Sequence, residues 1–191
     1  MTKLIGLAGK SGSGKSAVGG TLASRPGIEW VDLDRVAWET YEPGTETYRR
    51  VVERFGDEIV AEDGTIDRGD LAVRVFLDPA AREDLEAIVH PAVMDRLEAM
   101  RSEHGRRGTA FLIAEGALLT TSPHVDASVF DAVIWLEASD AVRETRLTAD
   151  GRADHAARGD GLSPSRGAIV VDAEGSVEEI VGRVLKVLST L

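Results

Sequence analysis

Residues Gly9-Lys10-Ser11-Gly12-Ser13-Gly14-Lys15-Ser16 spell the pattern G-x-x-x-x-G-K-[ST], directly after the apolar run Leu4-Ile5-Gly6-Leu7-Ala8. The pattern constrains the fold because it needs a strand, a tight glycine turn and a helix start in that order. At the helix start, free backbone N–H groups and the helix dipole meet a phosphate. Glycine permits close approach of the backbone and positive φ. The helix-like stretch Ala17 to Ser24 follows at the required place. Lys15 is expected to reach the β- and γ-phosphates of a nucleoside triphosphate, and the Ser16 hydroxyl to ligate Mg²⁺. The phosphate contacts fall to Gly9, Ser11, Gly12, Ser13, Gly14, Lys15, Ser16 and Ala17.

The 191 residues fit one domain with room for an inserted piece. A hydrophobic content of 43% suffices for a sizeable core. No apolar run is long enough to cross a membrane, and Met1-Thr2-Lys3 leads straight into the first strand, so neither a span nor a leader is expected. Cysteine is absent, which excludes disulfides, thiolate metal sites and cysteine nucleophiles. A cytoplasmic location is the expectation. The net charge of −11 argues against a nucleic-acid surface, which needs clustered Lys and Arg. Lysine occurs only at positions 3, 10, 15 and 186, and two of these lie in the glycine loop.

Five short apolar runs read as buried parallel strands: Leu4 to Ala8, Ile28 to Val31, Ala110 to Ala114, Ala132 to Leu136 and Ala168 to Val171. Helical patterns separate them. In the last helix, Ser176 and Glu179 form a capping box ahead of Val177, Ile180, Val181, Val184, Leu185 and Leu188. Strands alternating with helices predict an α/β fold: three layers, with a parallel five-stranded sheet covered by helices on both faces. With the phosphate loop, this is the P-loop NTPase fold. Ligands of such sheets bind at the carboxyl ends of the strands. The core is expected at residues 1–34 and 108–191. Residues 35–107 read as a helical insertion that holds an acceptor substrate, with helices over Thr47 to Val60, Arg68 to Phe76 and Pro79 to Val89, and a further helix start at Pro91. Residues 149–166 are polar and glycine-rich and read as a short lid.

Val31-Asp32-Leu33-Asp34 closes the second strand. Asp32 there is placed to deprotonate an attacking hydroxyl, or to hold Mg²⁺ through water. In an extended segment Asp34 would face the same side; alternatively it caps a helix beginning near Arg35. Glu115 ends the third strand, where it is either a carboxylate on the Mg²⁺ and substrate side or an ordinary capping charge. Arg143 and Arg146 follow the fourth strand; Arg152, Arg158 and Arg166 lie in or beside the lid. Positive charge on the transferring phosphoryl group favours Arg146 and Arg152 among these. Four histidines are dispersed without metal-ligand spacing. Trp30, Trp38 and Trp135 read as packing residues, with Trp38 and Tyr41 also candidates to line a substrate pocket.

The series continues with Glu42-Pro43-Gly44, Phe55-Gly56, Asp63-Gly64-Thr65-Ile66-Asp67-Arg68, Leu71, Val75-Phe76, Leu85-Glu86-Ala87-Ile88-Val89-His90-Pro91 and Gly175-Ser176-Val177-Glu178-Glu179. Together with the phosphate loop and the Asp-x-Asp pair, it resembles the dephospho-CoA kinase family over nearly the whole chain. The resemblance implies transfer of the γ-phosphate of ATP, with Mg²⁺, to the 3′-hydroxyl of dephospho-CoA. It implies that Asp32 is the catalytic acidic residue, that Arg68 and His90 belong to the acceptor-holding helices, and that Arg146 begins the lid region. The chain departs from the family pattern at Lys10, where a second glycine is usual. It departs also at Glu115-Gly116-Ala117-Leu118-Leu119, in its shorter lid, and at Val171-Asp172-Ala173-Glu174. Two other readings fit the same residues: a related kinase for a nucleoside, nucleotide or other small hydroxyl acceptor, and a non-catalytic ATP-binding regulatory protein.

Overall fold

In the computed structural model, which describes residues 1–116, 122–155 and 161–191, the first apolar run forms β1 (Lys3–Gly9). The others form β2 (Ile28–Asp32), β3 (Phe111–Glu115), β4 (Ala132–Glu137) and β5 (Ile169–Asp172). All pair in parallel, in the order β2-β3-β1-β4-β5. Near-continuous apolar runs give such strands because both faces of a parallel sheet are covered. On one face Ile5, Leu7, Ile113, Ile134, Leu136 and Val171 pack with Val18 and Leu22 of α1 (Lys15–Ala23) and with Ile180, Val181 and Val184 of the last helix. The alternate residues Leu4, Leu112, Val133 and Trp135 point to the opposite face and are also buried.

The register sets the site. Asp32 pairs with Glu115, Leu7 with Glu115, and Gly9 with Leu136, so the carboxyl ends of β2, β3, β1 and β4 align. Strand order reverses direction at β1, which makes its carboxyl end the switch point where ligands of such sheets bind.

The described residues divide into two compact units. One is drawn from Met1–Asp32, Arg101–Thr121 and Asp126–Leu191, the other from Leu33–Met100 and Ser122–Val125. In the first, α6 (Asp140–Ala149) follows β4, and α7 (Val177–Leu188) closes the chain with the expected Ser176–Glu179 capping box. The second holds α2 (Leu33–Thr40), α3 (Glu46–Phe55) and α4 (Arg68–Leu77). It also holds most of the long α5 (Pro79–Arg106). Asp67 caps α4 by accepting from the N–H groups of Gly69 and Asp70 at 2.8 and 3.1 Å.

Three local expectations are corrected. The helix expected over Thr47 to Val60 stops at Phe55, because Gly56 leaves helical space at φ +89°; a separate 3₁₀ turn covers Asp57–Ile59. Pro91 does not start a helix. It lies inside α5, where Val89, Val93 and Leu97 are buried and hold the helix together despite the missing N–H. The extended-strand argument fails for Asp34: β2 ends at Asp32 and α2 begins at Leu33, so Asp34 is an exposed residue in a first helical turn. In the segment expected as a lid, residues 156–160, including Arg158, lie outside the described residues, and Ala153–His155 is a 3₁₀ turn.

Leu22, wholly buried, joins α1 to the sheet near the carboxyl end of the helix. Leu22→Ala is expected to lower stability by about 2–5 kcal/mol. Urea denaturation checks this as a lower midpoint at unchanged slope.

Candidate active site

The glycine loop spans the gap between β1 and α1, and Gly14 in left-handed conformation is the N-cap of α1. Its shape depends on a close approach to α6. Gly12 sits at φ +79°, and a Cβ there would fall 2.7 Å from the Arg143 carbonyl oxygen. Any side chain at that position is therefore excluded twice, by dihedral and by space.

Cations hold the loop by its carbonyls. Lys15 Nζ donates to the carbonyl oxygens of Gly9 and Lys10 at 2.7 and 3.1 Å. Arg143, only 3% exposed, donates from Nε to the Ser11 carbonyl at 2.8 Å and pairs with the Asp140 carboxylate. Arg146 donates from Nη1 to the Ser13 carbonyl at 3.3 Å. Its Nη2 reaches the carbonyls of Ala173 and Gly175 at 3.0 Å each, fastening the loop to the connection between β5 and α7.

Beside the loop lies an acidic oxygen cluster. Glu115 is 7% exposed; its Oε1 accepts from the Ser16 hydroxyl at 2.8 Å and its Oε2 from Trp30 Nε1 at 3.2 Å. Burial pushes the Glu115 carboxyl above the ordinary glutamate value, and the negative charge of Asp32 adds to the rise. The Ser16 and Trp30 hydrogen bonds and the Lys15 charge oppose it. A hydroxyl and two carboxylates are hard oxygen donors of the type that Mg²⁺ takes. Among the described residues no group of three or more His, Cys, Asp or Glu side chains could hold a metal by itself.

Of the residues singled out in the sequence, Gly9 to Ala17, Asp32, Glu115 and Arg146 all belong to the first unit, Asp32 being tied to the loop through Glu115. Arg152 also lies in this unit, exposed, with Nη2 3.1 Å from His155 Nδ1. Arg68 and His90 belong to the second unit. There the Arg68 guanidinium stacks 4.4 Å above the Trp38 ring, at a cleft of about 430 Å³ also lined by Arg35, Tyr41 and Thr65. His90 is 5% exposed, its Nδ1 lies 2.6 Å from the Ser122 hydroxyl, and its ring centroid lies 6.5 Å from that of His124 with the planes tilted by 59°. Arg143, less favoured on sequence grounds than Arg146 and Arg152, is marked by its spacing of three from Asp140 and Arg146 on one helix. Trp30 was read as packing, and its hydrogen bond to Glu115 is an addition.

A phosphate loop at the switch point of a parallel sheet, with carboxylates at the neighbouring strand ends, defines a P-loop kinase-type nucleotide-binding protein. The model of the dephospho-CoA kinase family matches residues 3–156. A dephospho-CoA kinase of Geobacter sulfurreducens is 35% identical over 188 residues, covering 95% of this chain and 94% of that one. One from Geobacter metallireducens is 38% identical over 189 residues, covering 92% and 90%. A crystal structure from Thermus thermophilus superposes with a TM-score of 0.75 at 30% identity, covering 100% of this chain and 98% of the other. The chain belongs to the dephospho-CoA kinase family.

Burial lowers the His90 pKa from the ordinary 6.5, because the imidazolium loses water; the His124 and Arg82 charges act the same way and Glu86 opposes them. As pH falls through about 6.5 the unfolded chain takes up this proton first. The stability that His90 contributes is thus full above that pH and lost below it. Urea midpoints followed from about pH 7.5 down to 5 are expected to fall further in the wild type than in His90→Gln.

Proposed function

We propose that this chain transfers the γ-phosphoryl group of ATP to the 3′-hydroxyl of dephospho-CoA, as the names of its relatives indicate. The observation that carries the site assignment is the alignment of Asp32 with Glu115, whose carboxylate holds Ser16 at the head of α1. In this reading the loop amides and Lys15 bind the triphosphate. Asp32 accepts the proton of the acceptor hydroxyl, the freed oxygen attacks the γ-phosphorus, and ADP leaves with the bridging oxygen. Ser16 would hold Mg²⁺, with Glu115 behind it. When bound, the ion neutralises phosphate charge and so favours transfer.

Arg143 and Arg146 act by fixing the loop, and Arg146 adds positive potential on its phosphate side. Arg152, in the lid segment, is assigned to nucleotide contact. The helical unit, with Arg68 and His90, is assigned to the acceptor. The guanidinium of Arg68 and the aromatic face of Trp38 suit a ligand bearing phosphates and a planar ring. The same proposal places the reaction in the cytoplasm and gives the protein no nucleic-acid partner, in keeping with its net charge of −11.

The test is ADP formation from Mg²⁺·ATP with and without dephospho-CoA, with the product identified by mass. Acceptor-dependent turnover and one added phosphoryl group are expected; turnover only with another hydroxyl compound would replace the acceptor. Asp32→Asn is expected to lower kcat by several hundredfold or more, roughly the loss of a positioned base, with ATP binding retained. Lys15→Ala is expected to abolish triphosphate binding in a calorimetric titration.

A further inference from the structure

Glu115 has two carboxylate oxygens and two distinct partners. Oε1 accepts from Ser16, and Oε2 accepts from the indole N–H of Trp30, 3.2 Å away on β2. The indole reaches that place because of Gly19. A Cβ on Gly19 would fall 2.2 Å from Trp30 Nε1 and 2.4 Å from Cδ1, so the ring occupies the space that a side chain on α1 would take. Gly19 lies one helical turn beyond Ser16 and on the same side of α1. Trp30 lies two residues before Asp32 on β2, so both side chains leave the same face of the strand. A line of contacts therefore runs from Gly19 through Trp30 and Glu115 to Ser16.

The chemistry of the donor matters. An arginine or lysine at Oε2 would orient the carboxylate but cancel its charge. An indole N–H orients it and leaves the full negative charge. A buried carboxylate with one oxygen unpartnered would also turn toward other donors. We propose that Trp30 is a positioning residue for the cation side of the nucleotide site, setting the Glu115 carboxylate and through it the Ser16 hydroxyl. The inference rests on the reading of Ser16 as the cation ligand and is independent of the acceptor.

The test is nucleotide binding by calorimetry, with ADP and ATP, in EDTA and across a Mg²⁺ titration, without acceptor. Trp30→Phe keeps a ring against Gly19 and removes the N–H. It is expected to leave binding in EDTA within about twofold and to raise the half-saturating Mg²⁺ concentration about tenfold, the scale of one hydrogen bond to an ionised carboxylate. Gly19→Ala, which displaces the indole by its Cβ, is expected to shift Mg²⁺ dependence in the same direction. The double variant should be no worse than the more severe single, since both break one line of contacts. Wild-type Mg²⁺ dependence in Trp30→Phe would overturn the proposal. So would equal losses with and without Mg²⁺ alongside a lowered urea midpoint, which mark a structural role alone. Ser16→Ala separates the two readings. If it too leaves Mg²⁺ dependence unchanged, the cation assignment of Ser16 fails and this inference with it, whereas failure to phosphorylate dephospho-CoA would touch only the acceptor.

Discussion

The phosphate loop owes its shape to cations that bind its carbonyl oxygens. Lys15 takes those of Gly9 and Lys10, Arg143 that of Ser11, and Arg146 that of Ser13. A glycine-rich turn has few side chains with which to fix itself, and its backbone entropy favours many shapes. Holding it by the carbonyls turns the problem to advantage. The oxygens that would repel an anion are engaged, and the N–H groups at the start of α1 keep their polarity toward a phosphate. Arg143 is itself buried and donates to the Ser11 carbonyl as well as pairing with Asp140, so its contribution is larger than that of a surface ion pair.

That arrangement also explains how so acidic a chain binds a polyanion. Among the described residues, ion pairs such as Arg54 with Asp84 and Arg49 with Glu46 lie at exposed positions, where water screens them. Around the loop the cations are partly or wholly buried and donate to backbone carbonyls: Lys15 to Gly9 and Lys10, Arg143 to Ser11, and Arg146 to Ser13. Local potential there is set by this handful of groups and is little affected by the net charge of the whole.

The sheet was legible because its strands are short and apolar on both faces, a pattern that few other structures produce. The placement of the loop and of Asp32 at strand ends was legible because the apolar runs stop just before them. The boundary of α3 was missed because apolar spacing continues through Val51, Phe55, Ile59 and Val60 while the backbone turns at Gly56. Pro91 was misread because intrinsic propensity disfavours it, whereas buried neighbours on both sides decide the helix. Arg143 is marked only by its spacing of three from Asp140 and Arg146, and Trp30 carries no local mark of its hydrogen bond to Glu115. A charged residue on a helix reads as surface, and the Trp30–Glu115 bond joins residues 85 apart, brought together only by strand pairing.

The three indoles occupy three unlike settings. Trp135 is sealed in the sheet beside Glu137, Trp38 is 44% exposed beneath a guanidinium, and Trp30 shares a carboxylate with the hydroxyl at the head of α1. Their emission therefore separates by environment: blue for the sealed ring, red for the exposed one. Trp30 is linked to the head of α1 through Glu115. The chain carries within its own sequence an optical gauge for each of its two units, one of them wired to the place where phosphate is expected to sit.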